Sequence, residues 1–137
     1  MKKSGLLLIC AILFTFLSYG HASAQQAEDV SQKVVKAIGD GNARETAKYF
    51  GASIDLKVPG NEGTFSKNQA ELILRNFFSG NSPDSFSVQH KGRSRDGSPY
   101  VIGTYRSTNG TSFRTYFLMK NISGNMMIHL LQFDLQQ

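Results

Sequence analysis

The hydrophobic residues of this chain repeat with one period in its first half and with another in its second half. Up to Gly80 most of them recur at intervals of three or four positions, as on one face of a helix. From Ser85 onward they alternate with polar residues, which is the period of a β-strand. The chain therefore changes from mainly helix to strand after its midpoint.

Two helices are predicted first. Residues 27–38 place their apolar side chains on one face, and Gly39-Asp40-Gly41 ends the helix. Asn42 can cap a second, shorter helix, which Gly51 ends.

A short strand and a third helix follow. Residues 53–58 alternate weakly, and the turn-forming residues 59–63 break this strand. Ser66 and Gln69 then match a capping box, in which each side chain accepts a hydrogen bond from the backbone of the other residue. Gly80 ends the helix. Its apolar stripe consists of Ala70, Ile73, Leu74, Phe77 and Phe78.

Four strands are predicted in the second half, over residues 85–91, 99–107, 112–120 and 126–135. Residue pairs typical of β-hairpins lie between them, at Asp96-Gly97, Asn109-Gly110 and Ser123-Gly124. Helices that precede an antiparallel meander make an α+β domain. We therefore expect an α+β fold with N-terminal helices packed on a curved antiparallel sheet, in the order helix, helix, strand, helix and four strands.

The hairpin turns also predict which residues lie side by side. If the last two turns are two-residue loops, residues of neighbouring strands lie side by side in rows. One face of the sheet would then carry the rows Tyr105/Arg114/Phe133, Gly103/Tyr116/Leu131 and Val101/Leu118/His129. The other face would carry the rows Arg106/Phe113/Asp134, Thr104/Thr115/Gln132, Ile102/Phe117/Leu130 and Tyr100/Met119/Ile128. A one-residue bulge would shift these rows.

Neither predicted face is purely polar. The helices must cover one face, while the other needs a partner subunit, a ligand or strong curling of the sheet. We therefore predict a homodimer that forms through the sheet.

The first residues follow the three-part pattern of a secretory signal peptide. Lys2 and Lys3 precede an apolar run from Gly5 to Leu17, and Ala22-Ser23-Ala24 resembles a cleavage site. The run has 13 residues, whereas a membrane-spanning helix needs about 20. We expect residues 1–24 to be removed and residues 25–137 to form a single domain that is not embedded in a membrane. That domain would be periplasmic or extracellular.

Charge and cysteine content limit the chemistry of such an exported domain. The first 24 residues contain two of the 15 Lys and Arg and none of the 10 Asp and Glu, so their removal lowers the net charge from +5 to +3. This charge is weaker than the basic stripe of a nucleic-acid-binding protein. Cys10 is the only cysteine. Unless it carries a lipid instead of being removed, the domain has no disulfide and no thiolate nucleophile.

The order of elements resembles the nuclear transport factor 2-like superfamily, also called the cystatin-like cone fold. Two segments carry the resemblance, one from Ala47 to Phe78 and the other from Gly97 to Lys120. Together with the signal peptide they are most similar to a family of exported bacterial proteins known as domain of unknown function 4783. The resemblance implies a curved sheet wrapped around helices, and in some members of the superfamily the cone is a ligand pocket. It implies the fold and not the function.

The superfamily's enzyme sites are not matched. In the ketosteroid-isomerase-like branch the catalytic acid stands directly before a proline of the first strand. Here Val58 precedes Pro59, and Asp55 lies on the opposite side of the strand. Dehydratase-like members pair a His with an Asp inside the cone, and no spacing in this chain forces such a pair. We assign no catalytic residue, no metal site and no cofactor.

Four residues are the candidates for ligand binding. Tyr105, Arg114 and Tyr116 form a polar and aromatic group in which Arg114 could hold a carboxylate, or could only cover apolar surface. His129 lies in the apolar strand segment MMIHLLQF, where a buried imidazole can act as a base or can simply be hydrogen-bonded. The segment His90 to Tyr100 is rich in cations, and we interpret it as a solvated hairpin turn that binds no nucleic acid.

These observations lead to two hypotheses. The first is a non-catalytic exported domain that binds a small or peptide-like ligand, or a protein partner, through its cone or its sheet face. The alternative is a small hydrolase, isomerase or dehydratase that uses His129 together with an acid in the cone.

Overall fold

Three helices and one six-stranded sheet make up residues 23–137, which are the part of the chain that the structure, a computed structural model, describes. Most of the expected signal peptide, including Cys10, lies outside the described residues. The helices are α1 (residues 23–39), α2 (Ala43–Ala47) and α3 (Lys67–Gly80). The strands are β1 (Phe50–Val58), β2 (Asn61–Ser66), β3 (Pro83–Arg93), β4 (Pro99–Ser107), β5 (Ser112–Ile122) and β6 (Asn125–Leu135).

Side chains cap the helices at the predicted positions. The side chain of Asn42 accepts a hydrogen bond from the backbone N–H of Glu45 at the start of α2, 3.0 Å away. At the start of α3, Ser66 and Gln69 form the reciprocal capping box. An N-terminal cap stabilises a helix by about 1 kcal/mol because it satisfies a backbone donor that has no partner within the helix. None of the helices in residues 23–137 is both long and apolar enough to cross a membrane.

The strands lie in the order β2-β1-β6-β5-β4-β3. The predicted four-stranded meander is confirmed, since β3, β4, β5 and β6 pair antiparallel in sequence order, and β1 pairs parallel to β6. Strand β2 was not predicted, because the residues after Pro59 were expected only to break the chain. Instead, Pro59 and Gly60 form a tight turn, in which Gly60 has a φ of 84°, and the following residues pair back onto β1.

The predicted register across Asn109-Gly110 is wrong by one residue. Tyr105 lies opposite Phe113, not opposite Arg114. The loop is longer than two residues, because the N–H of Ser107 donates to the carbonyl of Thr111 and Gly110 adopts a φ of 88°. This left-handed glycine accommodates the additional residue of the loop. Because the register shifts by one position, each side chain of β5 shares a face with a different set of β4 side chains from the one predicted.

A bulge lies in β6 at His129. The predicted pairing of Met119 with Ile128 is confirmed, but Leu118 pairs with Leu130 instead of His129. His129 is thus the additional residue of the bulge. The rows predicted beyond this point are also wrong by one residue.

The core fills the space between the helices and one face of the sheet. Phe77 of α3 packs against rings from three strands, with centroid distances of 5.7 Å to Tyr105, 5.1 Å to Phe113 and 4.6 Å to Phe133. All four of these residues are buried. Burial of one such side chain stabilises the fold by about 1.5–3 kcal/mol. The interior of the cone is therefore occupied by the protein's own aromatic side chains.

Candidate binding surface

The sheet face that points away from the helices has an apolar centre, and we call this surface the outer face. All three helices bury their side chains in the core on the opposite side of the sheet. The strand register brings five partly exposed residues together on the outer face. These residues, the apolar centre, are Tyr100, Ile102, Tyr116, Leu118 and Leu130.

Tyr100 and its neighbours form an aromatic cluster within this centre. The ring of Tyr100 lies 5.6 Å from that of Tyr116 and 5.7 Å from that of His90. The hydroxyl of Tyr100 is 3.2 Å from Nε2 of His90. Burial raises the pKa of Tyr116, and the adjacent Tyr100 acts in the same direction. The cluster thus presents a large amphipathic surface with hydroxyl groups at its edges.

Opposite charges lie on the two sides of the apolar centre. Strands β4 and β5 contribute only cations to it, and neither strand contains an acidic residue. Strands β1, β2 and β6 contribute three carboxylates and one lysine. The cations of the first side are Arg106, Arg114 and Lys120. The charged residues of the second side are Asp55, Glu62, Asp134 and Lys57.

The acidic side contains one ion pair and one cleft. Lys57 Nζ lies 2.8 Å from Asp134 Oδ1, and this hydrogen bond raises the pKa of Lys57. Next to the pair is a cleft of about 330 Å³, whose lining includes Asp55, Glu62 and Leu130. The hydroxyl of Thr64 donates to Asp55. The outer face is therefore charged at both sides, apolar at its centre and indented at its acidic side.

The structure brings together only two of the three residues predicted to form a polar and aromatic group. Arg114 and Tyr116 both lie on the outer face. Tyr105 faces the core instead, where its hydroxyl donates to the carbonyl of Asn81 and burial raises its pKa. The longer loop at Asn109-Gly110 explains this difference, because a shift of one residue moves Tyr105 to the opposite face from Arg114.

His129 lies at the bulge and is partly exposed. Among the described residues no acid lies within ion-pair distance of its ring, and no side-chain hydrogen bond to either ring nitrogen is found. Asp55 points to the outer face and interacts with Thr64, and Val58 occupies the core position before Pro59. The geometry therefore does not assemble the histidine and acid that the enzyme hypothesis requires. Within residues 23–137 there is also no group of three or more His, Cys, Asp or Glu placed to hold a metal ion.

The cation-rich segment forms the β3–β4 hairpin, as predicted. Asp96 accepts hydrogen bonds from the hydroxyl of Ser94 and from the backbone N–H of Ser98. The first of these bonds is the largest cause of a pKa well below the usual range of an aspartate. Lys91 and Arg93 do not extend from the tip, because Lys91 bonds Glu28 of α1 and Arg93 bonds the carbonyl of Gly97. Both residues remain exposed, as the interpretation of a solvated turn predicts, but the sequence did not indicate these partners.

Comparisons with known proteins agree with this architecture. A family model described as a domain of unknown function, DUF4783, matches residues 31–134. Crystal structures of DUF4783 family proteins from Bacteroides ovatus and Bacteroides uniformis are 32% and 30% identical to the chain, with TM-scores of 0.70 and 0.71. The alignments cover 77% of this chain in both cases, and 94% and 96% of the Bacteroides chains.

More distant structures share the fold alone. An NTF2-like protein of unknown function from Shewanella baltica is 9% identical, with a TM-score of 0.60, and the match covers 85% of this chain and 95% of that one. A Nostoc punctiforme protein with a cystatin-like fold is 7% identical, with a TM-score of 0.63, over 82% of this chain and 90% of that one. No curated protein matches the sequence. With its six-stranded curved sheet and N-terminal helices, the chain has the nuclear transport factor 2-like fold and belongs to the DUF4783 family.

Proposed function

We propose that this protein is an exported, non-catalytic binding domain that holds a protein partner on its outer face, and that the partner is a second copy of the same chain. The observation that carries the proposal is the apolar centre of the outer face with opposite charges on its two sides. Tyr100, Tyr116 and Leu118 are only partly buried in a single chain. A second sheet laid over them would remove their apolar surface from water.

The outer face fits a partner better than the cone does. The cone interior is closed by contacts among Phe77, Tyr105, Phe113 and Phe133. A ligand there would have to displace well-packed rings, and each displaced ring would lose its burial energy. Contact with the outer face requires no displacement of the core.

The charge distribution favours a second copy and also fixes its orientation. In a two-fold dimer the same patch of both chains forms the interface. If the two-fold axis runs along the strands between β5 and β6, β5 of one chain lies over β6 of the other, and β4 lies over β1. Asp134 of one chain then faces Arg114 of the other, because these two residues are cross-strand partners and lie at the same level of the sheet. An axis perpendicular to the strands would place like charges together and is disfavoured.

Export is the second part of the proposal, and it rests on the pattern of residues 1–24. When cells express the full sequence, we expect the intact mass of the purified protein to correspond to a chain that begins at Gln25. A mass that includes Met1 in a cell with a functioning secretion system would contradict export. A mass that places a lipid on Cys10 would support export with membrane anchoring instead.

Light scattering coupled to size-exclusion chromatography tests the dimer. The protein purified from cells that express the full sequence should elute with the mass of two chains at tens of micromolar. Leu118→Arg should reduce this to the mass of one chain, because it places a charge in the apolar centre. Leu72→Arg is the matched control, since Leu72 is 54% exposed on α3 and lies away from the outer face. A single-chain mass for the unchanged protein would reject the second copy as the partner.

A further inference from the structure

A small crevice lies at one end of the sheet, where α1 crosses β3 and β4. It has a volume of about 130 Å³. Its polar lining comes from Glu28 and Ser31 of α1 and from Lys91 and Arg93 of β3. Its apolar lining includes Ala27, Val101 and Met119. The crevice is separate from the apolar centre apart from Tyr100, which lines both.

Ser31 lines this crevice with a hydroxyl group that has no partner. The residue is only 2% exposed, and its Oγ makes no hydrogen bond to any of the described residues. Most buried polar atoms in proteins are hydrogen-bonded, and one that is not indicates that a group belongs there. Many helical serines bond the carbonyl one turn earlier, but Ser31 does not. Its hydroxyl remains available to a molecule that enters the crevice.

The charged side chains of the crevice have more hydrogen-bond donors than the crevice has acceptors to pair with them. Glu28 contributes the one carboxylate among its lining residues, and Lys91 donates a 2.9 Å hydrogen bond to it. This bond is the largest cause of the lowered pKa of Glu28, so the carboxylate is ionised and engaged. Arg93 uses Nη1 to bond the carbonyl of Gly97 at 3.0 Å. The rest of its guanidinium group has no acidic partner among the described residues, and a guanidinium presents five N–H donors in total.

We propose that this crevice binds a carboxylate group, carried either by a short organic acid or by the C-terminal residue of a peptide. The hydroxyl of Ser31 and the free donors of Arg93 supply hydrogen bonds to the two carboxylate oxygens, and a guanidinium fits the planar shape of a carboxylate. The Glu28–Lys91 ion pair lies at the rim of the crevice, and the charges of these two side chains neutralise each other. The apolar wall, which includes Ala27 and Met119, faces the carbon atoms of the ligand. Inorganic phosphate could accept hydrogen bonds from the same donors, but it has no carbon atoms to contact this wall.

The volume limits the size of the ligand. A water molecule occupies about 30 Å³ in the liquid, so the crevice holds a carboxylate group with one or two further carbon atoms attached to it. Acetate, propionate or the terminal residue of a peptide that ends in Gly or Ala fits this space. A larger side chain would have to remain outside.

Nuclear magnetic resonance titration tests the site directly. The ¹⁵N-labelled protein, purified from cells that express the full sequence, is titrated separately with four probes: sodium acetate, the tripeptide Ala-Ala-Ala, the same tripeptide with an amidated C-terminus, and inorganic phosphate. We expect saturable shifts of the backbone N–H signals of Ser31 and Gly92 with at least one of the first two probes. Acetate alone would identify a small acid as the ligand, and the free tripeptide alone would identify a peptide terminus.

Substitutions show whether the named side chains make the site. Arg93→Gln should weaken binding about tenfold or more through the loss of a charge-assisted hydrogen bond, and Ser31→Ala should weaken it to a smaller degree. Arg95→Gln is the matched control, because Arg95 belongs to the same hairpin but does not line the crevice. An unchanged melting temperature would show that Arg93→Gln still folds, and if it does not fold, Ser31→Ala decides. Equal binding of the amidated tripeptide or of phosphate, equal binding by Arg93→Gln, or no shift with any probe would overturn the proposal.

Discussion

Tyr100 lies across the backbone of Gly92, its partner in the neighbouring strand, and the contact is so close that no other residue fits at position 92 without movement. A Cβ atom built on Gly92 would be 2.5 Å from the hydroxyl oxygen of Tyr100. The same ring is held by His90 on one side and Tyr116 on the other. The absence of a side chain at Gly92 therefore leaves the space that the Tyr100 ring occupies in the aromatic cluster of the outer face.

Gly92→Ala should displace this ring and destabilise the protein by about 1–3 kcal/mol, as overpacking commonly does. Urea unfolding at neutral pH measures the change. Gly80→Ala is the control, because a Cβ there meets nothing within 4 Å and alanine in a helix is favoured over glycine by about 0.5–1 kcal/mol. Equal stability of Gly92→Ala and the unchanged protein would show that the ring moves without penalty.

The sequence predicted the elements of the fold better than their register. The capping box at Ser66 and the change of period after Gly80 are local signals, and both predictions are confirmed. The pairing of Tyr105 depends on the conformation of one residue, Gly110, and a left-handed glycine is compatible with loops of two lengths. One such residue was sufficient to separate Tyr105 from its predicted group with Arg114 and Tyr116 and to place it in the core.

The candidate surface could be predicted only in part, for the same physical reason. Arg114 and Tyr116 were identified as part of a polar and aromatic group on one face, and they share that face in any register because they lie two positions apart on one strand. Leu118 lies on the same strand and was predicted on the same face, but Tyr100 could not be added, because the faces of adjacent strands are related only through the correct register. The crevice at Ser31 has no local signal at all, since it depends on how α1 crosses β3.

Removal of the Tyr105 hydroxyl should destabilise the core and alter its response to alkali. Tyr105→Phe leaves the carbonyl of Asn81 without this donor, which should cost about 0.5–1.5 kcal/mol at neutral pH. Burial raises the pKa of Tyr105 in the folded protein above its ordinary value near 10. The folded state therefore retains a proton that the unfolded state releases, so the stability contributed by Tyr105 is present below pH 10 and is lost progressively above it.

Urea unfolding at pH 8 and pH 11 measures this difference. The unchanged protein should lose more stability between these two values than Tyr105→Phe does. Tyr49→Phe serves as the control, because Tyr49 is a tyrosine only partly buried at the edge of the core. If both variants lose as much stability as the unchanged protein, the proton on Tyr105 does not contribute to alkaline unfolding.

Acid should weaken the β3–β4 hairpin through Asp96. The hydroxyl of Ser94 and the N–H of Ser98 hold the pKa of Asp96 below its ordinary value near 3.8. Because the folded pKa is lowered, the stability that Asp96 contributes is fully present well above pH 4 and declines as the pH falls below it. Asp96→Ala should therefore be less stable than the unchanged protein at pH 6, and this difference should shrink at pH 2.

Thermal unfolding followed by circular dichroism at several pH values gives this comparison. Asp84→Ala is the control, since it removes an exposed carboxylate from the start of the same strand, β3. A difference between Asp96→Ala and the unchanged protein that remains constant from pH 6 to pH 2 would mean that the charge of Asp96 does not support the turn.

Reversal of charges on the outer face distinguishes the orientation of the proposed dimer from other contacts. Arg114→Glu places a carboxylate opposite Asp134 of the second copy, and Asp134→Lys places a lysine opposite Arg114 of the second copy. With the two-fold axis along the strands, each variant alone should fail to dimerise, because like charges face each other across the interface. A mixture of the two should form a heterodimer, since positions 114 and 134 then carry opposite charges in both contacts across the interface.

Native mass spectrometry of the separate and mixed variants shows which species form, and light scattering at 50 mM and 500 mM NaCl measures the effect of screening. The heterodimer should weaken at the higher salt concentration, because the Debye length falls from more than 10 Å to about 4 Å over this range. Two variants that each dimerise alone would place the cations and carboxylates outside the interface. If Leu118→Arg abolishes the dimer of the unchanged protein, the outer face is the interface. If the two charge variants nevertheless remain single chains when mixed, an axis along the strands is ruled out.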